Sequence, residues 1–245
     1  MARKGENKKM KRIAAPKAWK IARKESKWII KPRPGPHTLE TSIPLGVLVR
    51  DILGLAKTAR EAKVIIKQGK IKVDGKVRKD LKFPVGFMDT ISVPGIDKYY
   101  RIVYDKLGRL GAIEIDRKEA NKKLVRVVNK TAAKGRKIQI NLHDGRNILV
   151  EKTDAKTGDS LLIRVPDQNI EKIIKLEEGS IAYIVGGGHT GEMAKVKEIV
   201  PGTITRPPLV KLVSDETEFL TDKQNVFVVG KEKPEVSIGD VKWSQ

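Results

Sequence analysis

The chain has 245 residues, no cysteine, and 51 Lys and Arg against 30 Asp and Glu, for a formal net charge of +21. Without thiols there is no disulfide framework, Cys-based zinc site or thiol nucleophile, which fits a reducing, cytoplasmic compartment. No apolar run approaches the roughly 18 residues of a membrane helix, no secretory signal is expected, and the excess charge calls for a polyanion: nucleic acid or an anionic membrane surface.

The charge is graded, at +11 in residues 1–36, +5 in 37–100, +7 in 101–170 and −2 in 171–245. Residues 1–36 read as a basic arm. MARKGENKKMKR is nearly free of apolar residues, KPRPGP ends any helix, and a short helix around Ala18–Trp28 is the most regular structure expected. Arg3, Lys4, Lys8, Lys9, Lys11, Arg12, Lys17 and Lys20 are candidate phosphate contacts. Trp19 either stacks on bases or ribose or anchors the arm on the protein's own core. The arm is expected to order as it enters RNA.

Residues 37–95 read as a compact α/β unit. Leu45–Leu53 is an apolar-rich helical stretch. Thr58-Ala59-Arg60-Glu61 is a capping box that opens a second helix, running to Gln68 and stopped by Gly69. Its spacing puts Arg60, Lys63 and Lys67 on one side and Ala59, Ala62, Ile65 and Ile66 on another. Residues 71–73 form a short strand, and Asp74-Gly75 turns it into a hairpin. With Lys57, Thr58, Lys70 and Lys72 this surface can track an RNA backbone; the plainer alternative is a solvated helix face.

Residues 96–170 hold short apolar stretches (99–104, 112–115, 137–142, 147–150, 161–165) separated by turn signals, an all-β pattern with a helix expected near Lys118–Val127. Residues 124–138 are basic, and Lys134, Arg136 and Lys137 are candidate RNA contacts on a loop. Residues 171–245 again alternate short strands around GGGHTGE. Its glycines do not form a phosphate loop, because Gly191 is followed by Glu192 and Met193 rather than Lys and Ser or Thr. The three histidines, His37, His143 and His189, lie in separate segments without metal-ligand spacing. No metal, cofactor or catalytic residue is therefore expected.

Three stretches carry a resemblance. GLAKTAREAKVIIKQGKIKVDGKVRKD (54–80) resembles the S4-like, or alpha-L, RNA-binding module, over Thr58, Arg60, Lys63, Lys67, Gly69, Val73, Asp74 and Gly75. Many members carry Arg directly after the Thr or Ser, where this chain has Ala59, leaving open whether Arg60 replaces it. GSIAYIVGGGHTGEMAKVKEIV (179–200) resembles the KOW motif of small SH3-like barrels, with Gly191 at the sharp turn. Together with MKRIAAPKAWK, PRPGPHTL, YDKLGR, NLHDGR and NVFVVGK, the whole order resembles the small-subunit ribosomal protein four-e family of archaea and eukaryotes.

That resemblance implies an α+β multi-domain protein: basic arm 1–36, alpha-L module 37–95, β-rich central domain 96–170 and KOW or SH3-like barrel 171–245. It implies a structural constituent of the small ribosomal subunit, bound to small-subunit rRNA and neighbouring ribosomal proteins. It implies no enzyme activity, small-molecule substrate, membrane contact or homo-oligomer. Two other classes remain as alternatives. An RNA-modifying enzyme tethered by the module would need a large catalytic domain, and a KOW transcription factor would leave the arm without a role.

Overall fold

The computed structural model describes residues 9–214 and 217–239. Near the N-terminus β1 (Met10–Lys11) pairs with β2 (Trp28–Ile29), and the segment between them turns without the helix expected near Ala18–Trp28. Residues 9–36 are docked on the body of the protein. Met10, Ala15 and Trp19 belong to the main hydrophobic core. The Trp19 indole donates from Nε1 to Ser42 O at 2.6 Å. Its backbone bridges Leu110, whose N–H donates to Ala18 O at 2.8 Å.

Trp19 and Arg12 are therefore withdrawn as RNA contacts, because both are sealed in protein at 2% and 4% exposure. The Arg12 guanidinium turns inward to Ala22 O, Ser26 Oγ and the Glu25 carboxylate. Replacing Trp19 by Phe removes one buried hydrogen bond and part of the packing volume. Denaturant unfolding is expected to show a loss of about 1–2 kcal/mol. RNA affinity of the folded variant stays unchanged; reduced affinity at full folding would restore a stacking role.

β3 (Ser42–Pro44) leads into α1 (Leu45–Val47), which continues as a π-helical turn over Leu48–Ile52, so the expected apolar helix is present but loosened. After α2 (Ala59–Lys67) come β4 (Lys72–Val73) and β5 (Lys76–Val77). Asp74 and Gly75 join these strands with φ of 49° and 73°, the pair of positive values that a two-residue type I′ hairpin requires. β6 (Pro84–Gly86) pairs with β3. β7 (Thr90–Val93), β8 (Lys98–Tyr104) and β9 (Leu110–Glu114) complete a sheet in the order β5-β4-β7-β8-β9. This sheet runs through the boundary expected at 95/96, so residues 98–114 pack with the module before them.

The helix expected near Lys118–Val127 reduces to a 3-10 turn, Glu119–Asn121. The basic loop expected over 124–138 is instead a hairpin of β10 (Lys122–Ala133) and β11 (Lys137–Leu142). The reason is that the first half of β10, Lys123–Val127, is buried on both faces. Leu124 packs into the main core while Val125 and Val127 pack into a second one. Its apolar residues are thus contiguous rather than alternating. β12 (Asn147–Val150), β13 (Ser160–Arg164) and β14 (Asn169–Ile174) extend the sheet in the order β12-β11-β10-β13-β14.

The last unit is an antiparallel sheet of β15 (Ile181–Ile184), β16 (Met193–Val200), β17 (Leu209–Val213), β18 (Glu218–Asp222) and β19 (Val226–Gly230). Its order is β18-β17-β16-β15-β19, around a third core. Among the described residues no helix is long and apolar enough to cross a membrane.

An aromatic junction fixes the units to one another. Phe87 stacks on Tyr104 and Tyr183 with centroids 5.4 and 5.5 Å away, and meets Phe227 edge-on at 5.0 Å. The Tyr183 hydroxyl donates to Tyr104 O at 2.6 Å. These rings come from the module, its sheet extension and the C-terminal sheet, so the connections are rigid contacts rather than free linkers.

Candidate nucleic-acid interface

The α2 helix builds its cationic face from its first residue. Thr58 Oγ1 accepts from Glu61 N at 3.2 Å, and the Glu61 carboxylate reaches back to accept from Lys57 N at 2.9 Å and Thr58 N at 3.4 Å. That box satisfies amides the helix itself leaves unpaired. The backbone donor of Lys57, followed by those of Thr58, holds the Glu61 carboxyl below its ordinary range. The only acid in the helix is thereby tied to the helix start.

Ala62 and Ile66 are buried against the core and Ile65 is half-buried, so the expected core side is largely correct, although Ala59 is exposed. Arg60, Lys63 and Lys67 are all exposed on the outer side, with Val64 half-exposed among them. Lys57 and Lys70 flank the helix, also exposed, while Lys72 in β4 is half-buried. Among the described residues none of Lys57, Arg60, Lys63, Lys67 and Lys70 forms an ion pair. Gly69, with φ of 74°, ends the helix as expected.

The other candidates fall elsewhere. Lys134 and Arg136 occupy the β10–β11 turn, Lys137 opens β11, and all three are exposed. In the arm, Lys11 and Lys17 are exposed and Lys20 is half-buried. Lys9 lies over the Trp28 ring, 5.8 Å from its centroid, and Lys27 does so at 5.6 Å. Arg3, Lys4 and Lys8 lie outside the described residues.

The structure also assembles a charged cluster that sequence reading missed. The Lys123 ammonium is buried against Asp89 at 2.5 Å, Asp74 at 2.8 Å and Asp144 at 2.9 Å. His37 Nε2 reaches the Asp89 carboxylate at 3.0 Å. Arg146 contacts Asp74 and Asp144. Burial alone would discharge Lys123, but the three carboxylates outweigh it and hold its pKa above the ordinary lysine range. Burial likewise opposes ionisation of Asp89 and Asp144. His37 and Lys123 overcome it at Asp89 and Lys123 does so at Asp144, so both stay below the ordinary carboxylate range.

Burial pushes the nearby His143 down to about 3, so it is neutral at physiological pH. Lys123, with its raised pKa, holds its charge as a clamp among three carboxylates. No local signal announced it, because its members lie on five separate stretches between residues 37 and 146. Among the described residues no group of His, Asp and Glu could hold a metal ion.

Comparison with known proteins decides the family. Three family profiles match: the RS4NT domain over residues 4–40, the S4 domain over 47–91 and ribosomal family S4e over 96–170. The chain is 48% identical to small ribosomal subunit protein eS4 of Ignicoccus hospitalis, over 99% of this chain and 100% of that protein. The chain belongs to the ribosomal S4e family. A second eS4 relative, from Methanosphaera stadtmanae, is 47% identical over 98% of this chain and 100% of its own length.

The crystal structure of the S4e protein of Thermoplasma acidophilum superposes with a TM-score of 0.69 at 36% identity, covering 78% of this chain and 96% of that one. S4e is a ribosomal protein family, and the relatives matched are named as ribosomal proteins, not enzymes. The enzyme alternative accordingly falls away. The S4 match begins at Val47, the last residue of α1, and runs through α2 and β4 to β6 into β7, so the cationic helix lies inside the matched S4 domain.

Proposed function

We propose that this chain is a structural constituent of the small ribosomal subunit, cytoplasmic as part of the ribosome, and that it serves translation by binding small-subunit rRNA. Lys and Arg displace counterions from RNA phosphates, which gives affinity without reading sequence. The observation that carries this reading is the row of exposed, ion-pair-free cations Arg60, Lys63 and Lys67 on the helix of an S4 domain. Thr58 acts by setting the start of that helix. The exposed cations of the arm and of the β10–β11 turn add further phosphate contacts.

The chain carries its RNA contacts in the first three units: the arm, an alpha-L module and the central β domain. We read the C-terminal sheet as a KOW or SH3-like barrel turned around Gly191. Its charge of −2 suits a contact with a neighbouring small-subunit protein better than one with RNA. No small-molecule substrate or homo-oligomer enters this reading.

Changing Arg60, Lys63 and Lys67 together to Glu tests it. Binding to small-subunit rRNA is expected to weaken, and the slope of log K against log salt to fall by about 2 to 3, with circular dichroism unchanged. Retained affinity and an unchanged slope would mean that the face is merely solvated.

A further inference from the structure

The outer face of β10, β11 and β12 presents side chains of a different kind. Strand register places Asn129, Asn141 and Asn147 in one row across the three strands, and Thr131, Gln139 and Leu149 in the next. The alternate residues Ile140 and Ile148 point into the second core. A bulge between Val127 and Asn129 creates this arrangement. It shifts the alternation of β10, so Val127 faces inward and Asn129 and Thr131 face out. Asn129, Thr131, Asn147 and Leu149 are exposed, and Gln139 and Asn141 are half-buried.

Four carboxamides on adjoining positions of a sheet are more than solubility requires. Each carries a donor and an acceptor in one plane, the combination that matches a nucleobase edge, whereas a lysine offers only donors. Gln139 Nε2 donates to Asn141 Oδ1 at 2.8 Å, which orients the two amides against each other. Leu149, 58% exposed beside them, offers an apolar surface for a base plane. Charge selects the partner. Residues 126–150 hold a single acid, Asp144, buried in the Lys123 cluster. Of their six Lys and Arg, Arg126 turns to Gln224 O and Val226 O, Lys130 to Ala155 O and Arg146 to Asp74 and Asp144, which leaves three exposed cations. Lys134, Arg136 and Lys137 lie at the end of the same hairpin.

We infer that this face reads base edges of an unpaired RNA segment, with the hairpin tip holding the phosphates beside it. An unpaired loop or bulge is the fitting ligand class, because the major groove of an A-form duplex is too narrow for side chains and its wide minor groove is recognised mainly by shape, whereas unpaired bases expose their edges. The inference rests on the rRNA-binding reading and adds sequence discrimination to it.

The test compares the full chain with a Gln139→Ala, Asn141→Ala, Asn147→Ala variant, using small-subunit rRNA and an unrelated RNA of equal length. The ratio of the two dissociation constants is expected to fall about tenfold in the variant. Affinity for the unrelated RNA and the salt slope stay as in the parent. Lys134→Ala, Arg136→Ala, Lys137→Ala instead weakens both RNAs together and lowers the slope. If the triple amide variant melts early, the near-isosteric Asn147→Leu and Gln139→Met carry the same comparison.

An unchanged ratio overturns base reading while leaving rRNA binding intact, and so does an equal loss for both RNAs. Retained preference with lost co-sedimentation on small subunits also overturns it, by making the occupant a neighbouring protein. A parent chain that binds neither RNA sinks the rRNA reading, and this inference falls with it.

Discussion

Lys123→Met is expected to destabilise the protein by about 3–5 kcal/mol, the cost of removing one partner from a buried ion cluster. The Lys123 side chain is 1% exposed and neutralises Asp74, Asp89 and Asp144 at once. Methionine fills much the same volume but leaves those carboxylates facing one another, with only Arg146 and His37 at the rim. The loss should depend on pH in a defined direction. Asp89 and Asp144 have depressed folded-state values, so their contribution is present above about pH 4 and fades as pH falls through the folded values.

In the variant the same groups lack their ammonium and gain from protonation, so the difference between parent and variant shrinks on acidification. Urea unfolding at pH 7 and pH 4 checks both statements. An equal loss at the two pH values would show that Lys123 acts through packing rather than charge.

Gly191→Val is expected to cost more than about 4 kcal/mol, the range reserved for clashes that nothing nearby can relieve. Gly191 has φ of 88°, a conformation that a β-branched residue adopts only under strain. A Cβ here would overlap the Asp105 carbonyl oxygen and lie 2.6 Å from its carbon and 2.9 Å from Lys106 N. All three are backbone atoms of the β8–β9 turn, which cannot swing aside. The damage therefore spreads beyond the C-terminal sheet to its contact with the module's sheet. Gly95→Ala is the control: its Cβ would meet nothing within 4 Å, and the melting temperature should stay near the parent's. A Gly191→Val protein that melts like the parent would refute this docking of the two turns.

The elements legible in the sequence were those whose cause is local. The α2 cap, the Gly69 stop and the Asp74-Gly75 hairpin each need a few adjacent residues, and each stands where expected. Four strands of the C-terminal sheet were likewise marked by alternation and turns; β18, in the acidic stretch before Val226, carried no such signal. What sequence hid was set by distant partners. The start of β10 looked like helix and loop because two cores bury both of its faces between Leu124 and Val127.

The same cause explains the errors in the interface. Arg12 and Trp19 had the composition of RNA contacts, but their partners, Glu25 and Ser42, take them inward. Gly75 reads as a turn glycine from its neighbours alone, yet a Cβ there would also press on Pro166 at 3.0 Å, a contact no local pattern shows. The exposed Arg60, Lys63 and Lys67 were legible because helical periodicity alone separates them from Ala62 and Ile66.

The parallel bridge between Trp19 and Leu110 has a bearing on solubility. β9 is the last strand of its sheet, and its outer N–H and C=O groups would otherwise offer a template for another chain. The docked N-terminal segment meets that strand at its first residue and takes the Leu110 N–H for itself. The most basic stretch of the protein thus doubles as a guard on an open sheet edge. Precipitation of a protein lacking residues 1–36 would report the uncovered strand edge and the lost packing of Met10, Ala15 and Trp19 before it reported anything about RNA.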